Sequence, residues 1–156
     1  MRKFFPIMIL LLTMTGCNAP IAVETSEVVG TWVMREESRE YLPPEVEEST
    51  GKITISADGT FVAHELPERK RYWGSRGHMD RWMAVSGSGN WEFIYISGLQ
   101  YVHLGFNKRS VDNADEQDVS YGFPINIKRW RSTIDMYYNL SDPDLWERVY
   151  FEKITQ

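Results

Sequence analysis

From residue 28 to residue 153 the chain is cut into short runs of alternating apolar and polar residues, separated by turn signals. No stretch sustains a helical period long enough to form a substantial helix. Lys52 to Ser56 puts Ile53 and Ile55 on one face, Asp58-Gly59 supplies a tight turn, and Thr60 to Leu66 returns. Thr133 to Leu140 aligns Ile134, Met136, Tyr138 and Leu140, and Leu145 to Lys153 turns Val149 and Phe151 inward. Five further runs read the same way: Val28 to Met34, Trp82 to Ser86, Asn90 to Ile96, Leu99 to Phe106 and Phe123 to Trp130. Gly87-Ser88-Gly89 and Ser97-Gly98 read as turns between them. Nine such strands predict an all-β fold, an antiparallel up-and-down meander that curls into a barrel to hide its edges. A β-sandwich is the alternative.

Three longer connections interrupt this pattern. Arg35 to Thr50 is rich in glutamate, and Pro43-Pro44 ahead of Glu45, Glu47 and Glu48 suits the start of one helical turn. Pro67 to Arg81 and Asn107 to Gly122 read as long loops. In a meander, alternate connections share an end. The first two therefore fall at one mouth of the barrel and the third at the other.

The amino terminus carries a different signal. Arg2 and Lys3 precede an apolar run from Phe4 to Met14, and small residues lead to Cys17, the only cysteine. This is the layout of a secretory signal segment, too short for a spanning helix. Met14-Thr15-Gly16-Cys17 resembles the lipobox of bacterial lipoproteins, with methionine where leucine is usual. The resemblance implies cleavage before Cys17, lipidation of its thiol and a stable hold on the membrane, since several acyl chains anchor where one does not. Asn18 in the next position implies the outer membrane, by analogy with sorting in enteric bacteria. The expected organisation is a signal peptide over 1–16, a lipidated Cys17 with a tether over 17–27, and a β-barrel domain over 28–156.

Losing Arg2 and Lys3 would take the formal charge from −5 to about −7, a balance that argues against nucleic acid as a partner. With its single cysteine lipidated the domain has no disulfide, so burial must hold it. Six Trp, eight Tyr and seven Phe supply large rings for that purpose.

Gly30-Thr31-Trp32 on the first strand resembles the opening motif of the lipocalins and related calycin barrels. Ala57-Asp58-Gly59-Thr60-Phe61 and Gly89-Asn90-Trp91 resemble hairpins of small bacterial lipocalin-like domains. The resemblance implies a lipocalin-like barrel in which Trp32 plugs one end and a late-strand arginine, Arg129 or Arg148, packs over its ring. Gly30 and Trp32 are then structural.

The sequence holds no nucleophile elbow, phosphate-cradling glycine loop or zinc-protease motif. His64, His78 and His103 are too scattered to specify a metal site, although His64 and His103 could face a barrel interior. The expectation is therefore a non-enzymatic protein without metal or cofactor. Glu68 to Trp82 is the unusual stretch, because Arg69, Lys70, Arg71, Arg76 and Arg81 interleave with Tyr72, Trp73 and Trp82 in an acidic protein. Arginine, tyrosine and tryptophan are the residue types of interface hot spots. Arg69, Arg71, Tyr72, Trp73, Arg76 and Trp82 are accordingly the candidate binding residues. Besides the membrane, two kinds of partner suit them: a small apolar ligand or envelope component taken at the barrel mouth, or a protein. The protein case includes a periplasm-acting toxin, this chain being its immunity protein.

Overall fold

In a computed structural model, residues 22–74, 77–140 and 147–154 are described, with side chains given outside 71–79. The alternation of buried and exposed residues is realised as eight strands: β1 (Gly30–Met34), β2 (Lys52–Ile55), β3 (Thr60–Gly74), β4 (Gly77–Ile96), β5 (Leu99–Val111), β6 (Gln117–Trp130), β7 (Thr133–Asn139) and β8 (Arg148–Ile154). Each pairs antiparallel with its sequence neighbour. β8 returns to β1, with Met34 opposite Phe151 and Thr31 opposite Ile154, so the sheet closes into an up-and-down barrel. The inward positions expected from the pattern are buried, including Ile53, Ile55, Met136, Tyr138, Val149 and Phe151.

Large side chains pack together in the interior. The rings of Phe61 and Phe106 meet edge to face at 4.9 Å, as do those of Phe123 and Tyr138. Tyr138 lies 5.8 Å from Phe151, and its hydroxyl donates across the barrel to the Pro67 carbonyl of β3 at 2.5 Å. An eight-stranded barrel is just wide enough for such packing.

The strand count is eight rather than nine because Gly87-Ser88-Gly89 is not a turn. β4 runs straight through it, with a bulge against β5 between Ser88 and Gly89. A Cβ on Gly87 would lie 2.2 Å from the Lys108 carbonyl oxygen, and one on Gly89 would lie 2.0 Å from that of Gly105. The glycines are there to let two backbones approach, a use that looks the same in sequence as a turn. Within the supposed loop 67–81, residues 67–74 and 77–81 are strand. β3 and β4 stay paired from Leu66 opposite Val85 out to Gly74 opposite Gly77, forming a two-stranded ribbon beyond the wall. Most of Asn107 to Gly122 is ladder too: Arg109 pairs with Gln117 and Lys108 with Asp118.

These changes move one connection. With eight strands, the β5–β6 turn falls at the same end as the β1–β2 connection and the ribbon. The expected separation of the 107–122 segment to the opposite end does not hold. The β1–β2 connection carries a 3-10 helix over Glu36–Tyr41 that was not expected, and hydrogen-bonded turns follow at the expected place, with the Val46 N–H donating to the Pro43 carbonyl at 3.0 Å.

The base of the barrel is closed by Trp32 and by the chain leading into β1. Residues Thr25–Val28 form a single helical turn instead of an unstructured tether, and Val23 and Val28 are buried with Trp32. Trp32 is fully buried, and its indole N–H donates to the Val28 carbonyl at 2.7 Å. Lys153, rather than Arg129 or Arg148, lies over the ring, with its Nζ 5.8 Å from the centroid and donating to the Glu27 carbonyl at 2.8 Å. Arg129 instead pairs with Glu27, and Arg148 stacks on Tyr137 at 4.8 Å. The Gly30-x-Trp32 spacing acquires a physical reason here. Gly30 has φ +138°, and the Lys153 chain passes 2.5 Å from where its Cβ would be. Cys17 and the signal-like segment before it lie outside the described residues.

Replacing Trp32 with alanine is expected to destabilise the barrel by about 3–5 kcal/mol, and with phenylalanine by less, since only the indole hydrogen bond and part of the ring are lost. Urea unfolding of both variants checks this, and a Trp32→Ala midpoint equal to wild type would contradict it.

Candidate functional site

The mouth lies opposite the Trp32 base, and strand length dictates its construction. β1 and β2 stop while β3 to β6 continue, so the base of the ribbon leans over the opening. A bulge between Ala63 and Leu66 permits the bend. Glu65 takes φ +47° there, its N–H held by the Ser86 hydroxyl at 2.9 Å. The ribbon base then engages three other strands. Pro67 accepts from Tyr138 as described, and Arg69 reaches the Leu140 carbonyl of the β7 end at 3.5 Å.

Between these contacts sits a buried charged group. The Glu68 carboxylate accepts from Arg109 of β5 at 2.5 Å and from the Tyr121 hydroxyl of β6 at 2.8 Å. The side chains of Glu68 and Arg109 are only 10% and 11% exposed, so neither charge is served by bulk water. The Arg109 guanidinium also stacks on Tyr121 at 4.4 Å. Burial and the Glu68 carboxylate push the Tyr121 phenol well above its ordinary value, and burial does the same to Tyr138. Both hydroxyls therefore remain donors at neutral pH.

Outside this bolt the rim forms a cleft of about 320 Å³ lined by Glu45, Asp80, Arg81, Trp82 and Asp112. The acidic β1–β2 connection and the ribbon thus do share a mouth, with the β5–β6 turn joining them. The connection's charges and the ribbon's are not paired with one another in the ion pairs that the described residues form. Arg69 pairs with Asp80 of its own ribbon at 2.5 Å and lies 6.0 Å from the Trp82 ring centroid, and Arg81 pairs with Asp112 at 3.3 Å. The latter pair is exposed on both sides and is worth about 0–1 kcal/mol. The β1–β2 connection is fastened to the barrel. Leu42 and Val46 are buried beneath it, Arg39 donates to the Ser49 carbonyl at 3.0 Å, and Arg35 pairs with Asp135 at 2.9 Å.

Of the residues singled out from sequence, Arg69 and Trp82 come together on the ribbon face at this rim. The side chains of Arg71, Tyr72 and Trp73, and the whole of Arg76, lie outside the described residues. In backbone register Arg71 stands opposite Asp80 and Tyr72 opposite Met79, so they continue the same ribbon. The two described histidines do not face the interior. His64 is exposed, and His103 points outward to Glu92 at 3.2 Å. No cluster of three or more potential ligands occurs among the described residues.

Glu68, Arg109 and Tyr121 were not anticipated. Their signal was available for β6, because Val119, Tyr121, Phe123, Ile125 and Ile127 alternate without a break. Glu68 had none, since an acid inside a basic run looks like a solvated one.

No protein-family model, curated protein or solved structure matches this chain. Its arrangement must be read from its own residues.

Glu68→Ala is expected to destabilise the fold by about 3–5 kcal/mol, because it strands the buried Arg109 charge. Glu68→Leu combined with Arg109→Met should recover most of that loss in urea unfolding. Equal losses in the single and double variants would show that packing, not the charge, dominates.

Tyr121 and Tyr138 set an alkaline limit. Unfolded phenols ionise near 10.0, whereas the folded pair does so only at higher pH. Above about pH 10 the unfolded chain therefore binds fewer protons, and stability present below that pH declines as pH rises. The urea midpoint should fall between pH 8 and pH 11, and less steeply in Tyr138→Phe than in wild type; an identical slope would exclude this cause.

Proposed function

We propose that this chain is a membrane-anchored, non-enzymatic binding lipoprotein of the bacterial envelope, of lipocalin-like build, which recognises its partner at the ribbon-bearing mouth. The lipocalin-like reading rests on Gly30-x-Trp32 standing at the base of a closed eight-strand barrel. The anchoring reading rests on the lipobox-like ending at Cys17, and Asn18 favours the outer membrane, facing the periplasm.

The observation that carries the mode of recognition is the set of contacts across the mouth. Tyr138 reaches Pro67 across the barrel, and Glu68 with Arg109 bolts the ribbon base above it. A partner is then met on the rim rather than swallowed. The rim offers the Trp82 ring, the carboxylates of Glu45, Asp80 and Asp112, and the two arginines that pair with the latter two. Such a surface suits a protein with a basic, hydrogen-bonding face, and the chain's net charge of −5 would steer it in. Neutralisation of a toxin by an immunity protein is one case of that reading.

Capture of a small apolar ligand or envelope component is the second reading. It is favoured by the cleft volume of about 320 Å³, at the lower end of small-ligand sites, with a half-buried tryptophan in its wall.

A photoreactive amino acid placed at Arg81, at Glu45 and at Val62 on the barrel wall separates these readings in cells. The protein reading expects one discrete protein adduct at the first two positions and none at Val62. Adducts of lipid mass at Arg81 and Glu45 would favour the second reading. Equal, diffuse labelling at all three positions would remove the mouth as the site.

A further inference from the structure

The end opposite the mouth carries an apolar rim that the binding reading leaves unused. At the β4–β5 turn, Ile96 pairs with Leu99 in register, and the two are each 56% exposed. Val102, Leu104, Ile125 and Ile127 face inward, so by alternation Leu99 on β5 and Trp130 on β6 face outward. Trp130 is 61% exposed, and Lys128 lies over its ring at 5.7 Å. Three adjacent strands thus present Ile96, Leu99 and Trp130 side by side at one edge, with Lys128 and the exposed Arg131 among them. Arg129, between those two cations, is already paired with Glu27.

The amino-terminal chain enters at this same edge. Val23 is clamped to Gln100, the residue after Leu99, by two hydrogen bonds: its N–H donates to the Gln100 side-chain oxygen at 2.9 Å, and its carbonyl accepts from the amide nitrogen at 3.0 Å. Cys17 is six residues upstream of Val23. Even fully extended, that segment spans at most about 20 Å. Acyl chains on Cys17 would therefore hold the Leu99 edge within about 20 Å of the leaflet that carries them, a tether short enough to keep this end of the barrel facing the membrane.

We propose that this base edge is a lipid-docking face. Ile96, Leu99 and Trp130 enter the interface of the leaflet that holds the Cys17 acyl chains, and Lys128 and Arg131 meet anionic headgroups. The chemistry matches the occupant. Tryptophan prefers the headgroup level, paired aliphatic tips reach below it, and lysine and arginine gain from phosphatidylglycerol-type charge even on an acidic protein. Docking fixes orientation: the ribbon-bearing mouth then points away from the membrane, toward whatever it binds. This inference rests on the reading of Cys17 as lipidated.

Because Cys17 is the only cysteine and would be acylated, single cysteines can be labelled cleanly in the full lipidated protein. Leu99→Cys, Trp130→Cys and Arg81→Cys, each carrying a nitrobenzoxadiazole probe, are reconstituted in vesicles of phosphatidylethanolamine and phosphatidylglycerol. Doxyl-labelled lipid should quench the probes at 99 and 130 several-fold more than the probe at 81. Removing phosphatidylglycerol should reduce that difference. A lipidated, vesicle-bound protein whose three probes are quenched equally weakly overturns the docking face while leaving the anchor intact. Blue-shifted probes at 99 and 130 that doxyl lipid does not quench would mean a second copy covers the edge, which also overturns it. Mass spectrometry of wild type showing a free Cys17 thiol on a protein soluble in the periplasm would overturn the anchor, and this proposal with it.

Discussion

The pairing of β1 with β8 is the constraint on which the rest of the structure depends. It joins residues more than a hundred positions apart, Met34 to Phe151 and Thr31 to Ile154, and it leaves the wall without an edge. Only with that seam made do Trp32, Ile53, Phe61, Val149 and Phe151 share one dry interior. The domain has no disulfide to substitute for it. Every large ring inside the barrel is thus stabilised by a contact that must form late and over a long loop, which places this fold among the slower-forming topologies.

Two irregularities shape what that closed wall can do. Gly87 and Gly89 let β4 press against β5, and the Glu65 bulge tips β3 and β4 over the mouth. The Glu68–Arg109–Tyr121 group then fastens the ribbon to β5 and β6. A buried ion pair is a poor way to gain stability compared with an apolar trio of the same volume. Its evident product here is geometric, since it fixes where the ribbon base sits and keeps the rim cleft open beside it.

The barrel was legible wherever one face met the core and the other met water. β2, β7 and β8 alternate so cleanly that their inward residues follow from periodicity alone. Trp32 as a buried aromatic was legible from its place on the first strand, and its position at the base only through the resemblance of Gly30-x-Trp32 to the lipocalin motif. The ribbon was not, because beyond Glu68 its strands leave the core and lose the period that identifies them, whereas outer β6 keeps its alternation through Val119 and Tyr121 and was obscured by the polar run before it. Two glycines serving close approach were indistinguishable from a turn, which split β4 and reversed the end assigned to 107–122. The lysine over Trp32 was missed because the choice depends on how the chain before β1 folds back, not on any spacing within β8. At the mouth, Arg69 and Trp82 were found by residue type, whereas Glu68 and Arg109 depend on a bend that no local pattern announces.

The ribbon has a consequence for solubility. Beyond His64, β3 has no β2 partner, so from Leu66 to Gly74 its outer edge has no strand beside it. Such an edge is a template on which another copy of the chain can add a strand. Here the run reads Glu68-Arg69-Lys70-Arg71, so a second copy adding antiparallel would set one basic run against another. The basic stretch in an otherwise acidic protein thus also acts as a guard against self-association. It lets the ribbon keep an open β-edge without polymerising along it.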